Sequence, residues 1–508
     1  MKLHTLKKNP LITGTIILTA TGLFSKSIGF FYRIFLSNTI GEEGMGLYQL
    51  VFPAIGVCMA VCAMSFQTAI SRFVAAEQAA GTGNRGQLTL RAGMILSVLL
   101  SLGFTFLLYM LAAPICTYIL LEERCEPLLK VACLSLPFAT IHSCLSGYYY
   151  GRKKASIPAL AQVVEQLVRV TTVFIIWNIG MEKGIPLTPL GVMAGMTIGE
   201  AVSALFIGIM YLMKESVRKA EPSPLLPIMK NLTSMAVPLS ANRFILSVLQ
   251  SAEAVLIPSR LQLFGMTNSQ ALSVYGVLTG MAMPFILFPS TLTNSVSVML
   301  LPIVAEAQSA DNSGQISRAS SLNIRFCLWL GILFTAIFIL FGNDMGMAIF
   351  QSEMAGRYLT ILSWLCPFLY LSSTTSSILN GLGKTKAVFF HNVISMGVRL
   401  LFIIFLVPIF GITAYLWGTL FSQLLLTLLH MISLFMISPF SFSAFRDLLY
   451  PSLFAVLAGA AAKGLKYLAD TYLPGFSLIT LVLALVFMAV TFYLMTAFRL
   501  REDFSPIK

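Results

Sequence analysis

The chain has 508 residues, 57% of them hydrophobic and 10% charged, with a mean hydropathy of +0.86 and a formal net charge of +13. A soluble protein carries about 25% charged residues, so this composition excludes a water-facing surface over most of the chain and calls for lipid in its place. The positive balance does not call for nucleic acid, because basic residues gathered in loops on one side of a membrane account for it.

A helix that crosses a bilayer needs roughly 20 apolar residues, and such stretches recur from Leu11 to Arg499. Spans are expected near 11–37, 47–75, 92–120, 128–150, 157–179, 190–213, 232–257, 271–304, 321–342, 356–380, 388–409, 411–437, 449–469 and 475–498. The first follows Lys2, Lys7 and Lys8 but is too long for the apolar region of a signal peptide and contains Lys26 and Arg33, so it is expected to be retained. Cys58, Cys62, Cys116, Cys133, Cys144, Cys327 and Cys366 lie in apolar runs and Cys125 in a short loop. Without a CxxC motif or Cys/His pairing, they are expected to pack as small hydrophobes. His4, His142, His391 and His430 are scattered along the chain, so no metal site and no cofactor are expected.

Loops alternate in charge. Arg85, Arg152-Lys153-Lys154, the Lys214–Lys230 stretch, Arg318, Lys384, Lys386, Arg446 and the tail Arg499, Arg501 and Lys508 fall on one side. The other side holds Arg124, Lys183, Arg260 and Arg357 with the acidic pairs Glu42-Glu43 and Glu122-Glu123. This bias predicts a multi-pass membrane protein with both termini cytoplasmic.

A shift of about 230 positions overlays one part of the sequence on another. Pro137-Phe138 meets Pro367-Phe368, Gly151 meets Gly381, Lys154 meets Lys384, Val168-Arg169 meets Val398-Arg399, and Gln78 meets Gln308. Six expected helices separate the matched segments, and an even number keeps their orientation. The expected fold is therefore an all-α polytopic membrane protein of about fourteen spans in two parallel six-helix lobes. Residues 1–220 form the first lobe, 221–440 the second, and 441–508 two further helices with a short tail. Lys214–Lys230, with Pro222, Pro224 and Pro227, is the linker between lobes.

Ionisable residues inside spans are costly and face a bundle interior or a wet cavity. Lys26 and Arg33 share one face of the first helix with Gly22 and Gly29. Gln162, Glu165, Gln166 and Arg169 form a polar face on the fifth, where Glu165 and Arg169 are spaced for an ion pair. Glu200 stands isolated on the sixth, Arg243 and Glu253 lie on the seventh, and Arg399 on the eleventh. All five aspartates are assigned to loops or the tail. Lys26, Arg33, Arg243 and Arg399 are the candidate cavity cations for an anionic substrate. Glu200 and Glu253 are the candidate coupling carboxylates, and no residue is assigned a catalytic role.

Three segments carry a resemblance: GLFSKSIGFFYRIFLSNTIGEEGMGLYQLVFP (Gly22 to Pro53), GYYYGRKKASIPALAQVVEQLVRV (Gly147 to Val170) and FPSTLTNSVSVMLLPIVAEA (Phe288 to Ala307). The sequence resembles the stage V sporulation protein B family of polysaccharide-type exporters in the multidrug/oligosaccharidyl-lipid/polysaccharide flippase superfamily. That resemblance implies two six-helix lobes around a central cavity. It also implies export of an undecaprenyl-pyrophosphate-linked sugar or peptidoglycan precursor, for spore cortex or cell wall. Related lipid II flippases use a first-helix cation, which Lys26 matches.

The leading expectation is a flippase for a lipid-linked anionic glycan, working as a monomer by alternating access among membrane lipids. A cation-coupled multidrug antiporter of the same fold is the alternative, disfavoured by the lack of intramembrane Asp. A membrane-embedded glycan polymerase would need a carboxylate or His site on a substantial outer loop, and only Glu42-Glu43 and Glu122-Glu123 are formally available.

Overall fold

The computed structural model describes residues 10–80, 85–214, 225–310, 312–472 and 477–503. Lys2, His4, Lys7 and Lys8, the linker residues Arg218, Lys219, Pro222 and Pro224, Asp311 and Lys508 lie outside the described residues. All regular structure among the described residues is helical. Eleven helices are long and apolar enough to cross a membrane, or twelve if one bent pair counts as a span.

The number differs from fourteen because the first two expected spans continue as one helical run and three others are interrupted. The first two expected spans run together as Ala20–Ala79. Sixty helical residues would reach about 90 Å, three times the hydrocarbon core. That run is broken at Gly41 (φ 71°, ψ −178°), a conformation that a residue with a Cβ resists. Elsewhere expected spans are interrupted. The 128–150 stretch bends by 40° between Cys133 and Ser135. The 271–304 stretch breaks at Phe288-Pro289, and 356–380 turns at Ser363-Trp364.

Contacts divide the chain into two compact units, 1–259 with 267–276, and 260–266 with 277–508. The first contains α1 (Pro10–Met59), α2 (Ser65–Ala79), α3 (Arg85–Met110), α4 (Ser135–Gly151), α5 (Ser156–Glu182), α6 (Pro189–Lys214), most of α7 (Leu225–Leu263) and α8 (Asn268–Gly276). This unit therefore extends past residue 220. Leu232 and Ala236 of α7 join its core beside Phe66, Ile70, Tyr148 and Tyr149. The second holds α9 (Ser290–Ser309), α10 (Ser313–Phe350), α11 (Leu365–Gly381), α12 (Thr385–Leu401), α13 (Ile412–Ile437), α14 (Tyr450–Tyr472) and α15 (Ser477–Asp503).

The packing repeats from one unit to the other. In the first, α2 lies on α4, α4 on α3 and α6, and α5 on α6; in the second, α9 lies on α11, α11 on α10 and α13, and α12 on α13. Individual bonds recur at an offset of 230. Thr105 Oγ1 donates to the Cys133 carbonyl at 3.1 Å, and Thr335 Oγ1 to the Ser363 carbonyl at 2.9 Å. Ser97 Oγ meets Cys144 Sγ at 3.0 Å, and Cys327 Sγ meets Thr374 Oγ1 at 3.3 Å. All eight cysteines are free and buried. Large apolar side chains such as Leu99, Phe106, Phe405 and Leu494 point outward, as a lipid-facing surface requires.

The helix α14 and the turn before it are fastened to α10 by charges. Asp447, fully buried, is ion-paired with Arg325 Nε at 3.1 Å and accepts a hydrogen bond from Arg446 Nε at 3.2 Å. Lys466 Nζ reaches Asp344 at 3.5 Å and Asp470 at 2.8 Å. The expectation that every aspartate sits in a loop or the tail is thus corrected. Asp344 lies within α10, Asp470 within α14, and Asp447 within an apolar helical run. Asp447 is tolerated there because Arg325, an intramembrane cation the sequence reading passes over, neutralises it.

Candidate functional site

The first unit contains a buried polar cluster built by four helices. It starts from α5, where the i, i+4 spacing sets Glu165 beside Arg169, and Arg169 Nη2 donates to Glu165 Oε1. From α6, Glu200 approaches Arg169 Nη2 at 3.8 Å. This contact depends on a small residue one position earlier. A Cβ on Gly199 would stand 3.1 Å from the Glu165 carbonyl oxygen and 3.2 Å from Arg169 Cβ. Gly199 thus lets α6 come close enough for Glu200 to reach across.

From α4, His142 Nδ1 lies 3.9 Å from Glu165 Oε2 and 3.2 Å from Ser203 Oγ. Ser203 Oγ also donates to the Ala161 carbonyl at 3.0 Å, which fixes α6 on α5. From α1, the buried Tyr32 and Tyr48 and the half-buried Arg33 lie within electrostatic range of Arg169. The side chains of His142, Glu165, Arg169 and Glu200 are between 12% and 17% exposed. At that burial an ionised carboxylate persists only if paired. Arg169 supplies the pairing for both glutamates. The Arg169 Nε, Gln166 Oε1 and Tyr32 hydroxyl are nonetheless left without hydrogen-bond partners.

Two expectations are corrected here. Glu200 is not isolated, because it closes the network with Arg169. His142 is isolated only along the sequence. Its ring nitrogen and the oxygens of Glu165 and Glu200 all lie within 4.8 Å of one another. That spacing would admit a cation, but the Arg169 guanidinium already neutralises one of the two carboxylates, and the single charge left over suits a shared proton better than a divalent metal. The GVMAGMTIGE run, with Gly191, Gly195 and Gly199 at every fourth position, is the sequence signal that could have placed Glu200 against α5.

The other candidate residues lie apart from this cluster. Lys26 is exposed on α1 and Gln162 exposed on α5. Arg243, half-buried on α7, donates from Nη2 to Thr68 Oγ1 at 3.1 Å, while its buried Nη1 has no partner. Its hydrogen-bond acceptor is thus a neutral hydroxyl, with no ion pair to a described residue. Glu253 on α7 and Arg399 on α12 are half-buried, Arg399 in the second unit.

Glu43 and Glu122 are both engaged. Arg124 bridges Glu43 at 2.7 Å and Glu122 at 2.8 Å, and Asn268 Nδ2 donates to Glu122 Oε2 at 2.6 Å. Burial works to raise the Glu122 carboxyl, but the bonds from Arg124 and Asn268 together hold it below the usual carboxylate range. Beside this network α1 crosses α8 at backbone contact. A Cβ on Gly46 would lie 2.2 Å from the Leu272 carbonyl oxygen, and one on Gly276 2.1 Å from that of Glu42.

Long apolar helices with charges held inside them define a multi-pass membrane protein. The model of the polysaccharide biosynthesis protein family matches residues 11–308, more than half of the chain, and the chain belongs to that family. A MatE model also matches residues 260–405. Stage V sporulation protein B of Bacillus subtilis (strain 168) is 27% identical over 85% of each chain. Lipid II flippase MurJ of the same organism is 24% identical over 77% of this chain and 76% of its own. Among solved structures, lipid II flippase MurJ in an inward closed conformation superposes with a TM-score of 0.74 at 13% identity, covering 96% of this chain and 99% of that one. The matched lipid II flippases are flippases by name, and the superposition shows that this chain shares their fold.

Proposed function

We propose that this chain is a flippase that carries a polyprenyl-pyrophosphate-linked oligosaccharide or peptidoglycan precursor across a bacterial cytoplasmic membrane by alternating access. The observation that carries the proposal is Arg243. It is a guanidinium inside an apolar helix that donates to the Thr68 hydroxyl and whose Nη1 is buried without an acceptor among the described residues. A pyrophosphate would supply that acceptor, in the bidentate geometry that suits Arg. Lys26, Arg33 and Arg399 are its proposed companions, Lys as a point charge and Arg as a fork. The names of the relatives at 27% and 24% identity agree with a lipid-linked glycan for spore or cell wall. In this scheme the chain acts as a monomer of fourteen spans, each broken helix pair counting as one crossing, with both termini cytoplasmic. A reporter fused after Lys508 should give cytoplasmic activity; extracytoplasmic activity there removes the scheme.

Glu200, with Glu165, His142 and Arg169, is the proposed coupling site, and Glu253 a second carboxylate available to it. Protonation of one glutamate would release Arg169 from it and loosen the α5–α6 contact. The test of the substrate reading is replacement of Lys26, Arg33, Arg243 and Arg399 singly by Gln, with membrane abundance measured in parallel. Lipid-linked precursor should accumulate on the cytoplasmic leaflet at normal abundance. Normal export in the Lys26→Gln, Arg243→Gln and Arg399→Gln variants would sink the anionic reading.

A cation-coupled drug antiporter is the second reading, and the carboxylate-rich first-unit cluster is what favours it. It expects the reverse pattern, with Glu200→Gln abolishing transport and loss of the cations tolerated.

A further inference from the structure

The second unit contains a cavity of about 700 Å³ between α9 and the first turns of α10. Its size falls within the roughly 300–1,000 Å³ of sites that hold small molecules. One wall is apolar, formed by Val296, Leu300, Leu322 and Phe326. The opposite end is the N-terminus of α10. There Asn312 caps the helix, its Oδ1 accepting from the Gln315 amide at 3.0 Å, and Gly314 and Gln315 line the cavity. Arg318 follows within a turn, exposed and with no ion pair to a described residue. A helix N-terminus and a guanidinium at one end of a cavity together make a receptor for a phosphate.

Between the two ends lies Asn323, 2% exposed. Its Oδ1 accepts from Cys327 Sγ at 3.7 Å, while Nδ2 has no hydrogen-bond partner. Whichever way the amide is turned, one end of it is left over. A buried amide group without a partner costs about 1–3 kcal/mol. Here it lines a cavity large enough to supply one.

We propose that this cavity binds one anionic phospholipid of the surrounding leaflet. The phosphate sits at Arg318 and the α10 N-terminus, an ester carbonyl accepts from Asn323 Nδ2, and an acyl chain lies along Val296, Leu300, Leu322 and Phe326. Each part excludes a competitor. A free phosphate leaves the apolar wall and the Asn323 amide unserved. A choline headgroup brings a second cation to Arg318. A polyprenyl phosphate, the tail of the proposed substrate, has no ester carbonyl to offer Asn323. The Lys/Arg bias sets Arg318 on the cytoplasmic side, so the lipid comes from the inner leaflet.

The experiment is native mass spectrometry of the full chain incubated with phosphatidylglycerol, phosphatidylcholine or undecaprenyl phosphate. Wild type should retain phosphatidylglycerol roughly tenfold better than phosphatidylcholine, the size of one charge-assisted contact. Arg318→Gln should remove that preference. Asn323→Leu should weaken retention of both phospholipids. Leu300→Trp, which fills the groove and leaves Asn323 unsubstituted, should do the same and serves if Asn323→Leu fails to fold. Inorganic phosphate should not compete. Equal retention of the two phospholipids by wild type, or a preference that survives Arg318→Gln, overturns the assignment. So does displacement by undecaprenyl phosphate that ignores Asn323→Leu, which would make the groove a substrate-tail site.

Discussion

The same four helix positions carry charge in the first unit and none but an arginine in the second. At the 230-residue offset, His142, Glu165 and Arg169 correspond to Ser372, Ser395 and Arg399. After a connection shorter by seven residues, Glu200 corresponds to Gln423. The second unit solves the packing with neutral bonds. Gln423 Nε2 donates to Ser372 Oγ at 2.6 Å, and Ser395 Oγ to the Ser422 carbonyl at 2.8 Å. The repeat therefore does not need ionisable groups at these positions to fold. Buried charges are an expensive way to join helices, so charged groups kept at these four positions in the first unit alone are consistent with the coupling role proposed for them.

The largest effect should come from breaking the first-unit network. Glu165→Ala leaves Arg169 buried with one distant carboxylate, and removing one partner of a buried pair costs about 3–5 kcal/mol. The equivalent Ser395→Ala in the second unit loses a single neutral bond, about 1 kcal/mol. Thermal unfolding in detergent compares the two, and equal losses would erase the distinction between the units. Next comes Gly199→Leu. The new side chain meets the Glu165 carbonyl and Arg169, and overpacking of this kind costs about 1–3 kcal/mol. It should also separate Glu200 from Arg169, so coupling fails even where the protein folds. A third test grafts charge into the neutral unit. Gln423→Glu in place of the Ser372 bond should destabilise by about 1–3 kcal/mol at neutral pH and recover at acid pH, since the buried carboxyl is then protonated.

The smallest effect concerns the outer clasp. With the Glu122 carboxyl held low, its stabilising contribution is complete above about pH 4.3, the unperturbed Glu value, and fades as pH falls through the lower folded value. Arg124 is half exposed, so Arg124→Gln should cost at most about 1 kcal/mol. The thermal-midpoint difference from wild type should be flat at neutral pH and shrink below about pH 4.

Hydropathy and loop charge made the membrane class legible, and matched Gly, Lys and Arg residues made the repeat legible before any packing was seen. The break at Gly41 falls in the polar stretch expected between the first two spans, whereas the Ser363-Trp364 turn was not legible, because it interrupts the backbone without interrupting hydrophobicity. Within the site, the Glu165–Arg169 pair followed from intrahelical spacing. His142 and Glu200 could not, since they reach the pair across α4 and α6, and only the Gly191, Gly195, Gly199 series hinted at that approach. Arg325 and Asp447 were missed for the same reason: each looks unpaired along its own helix and is paired across helices.

The most direct test of the account compares Arg243→Gln with Glu200→Gln in vesicles loaded with a fluorescent polyprenyl-pyrophosphate glycan. The account predicts that Arg243→Gln loses substrate binding, whereas Glu200→Gln still binds it and loses only the dependence of transport on an imposed proton or sodium gradient. Undiminished binding by Arg243→Gln, together with abolished binding in Glu200→Gln, would contradict it and make this chain an exporter of cations.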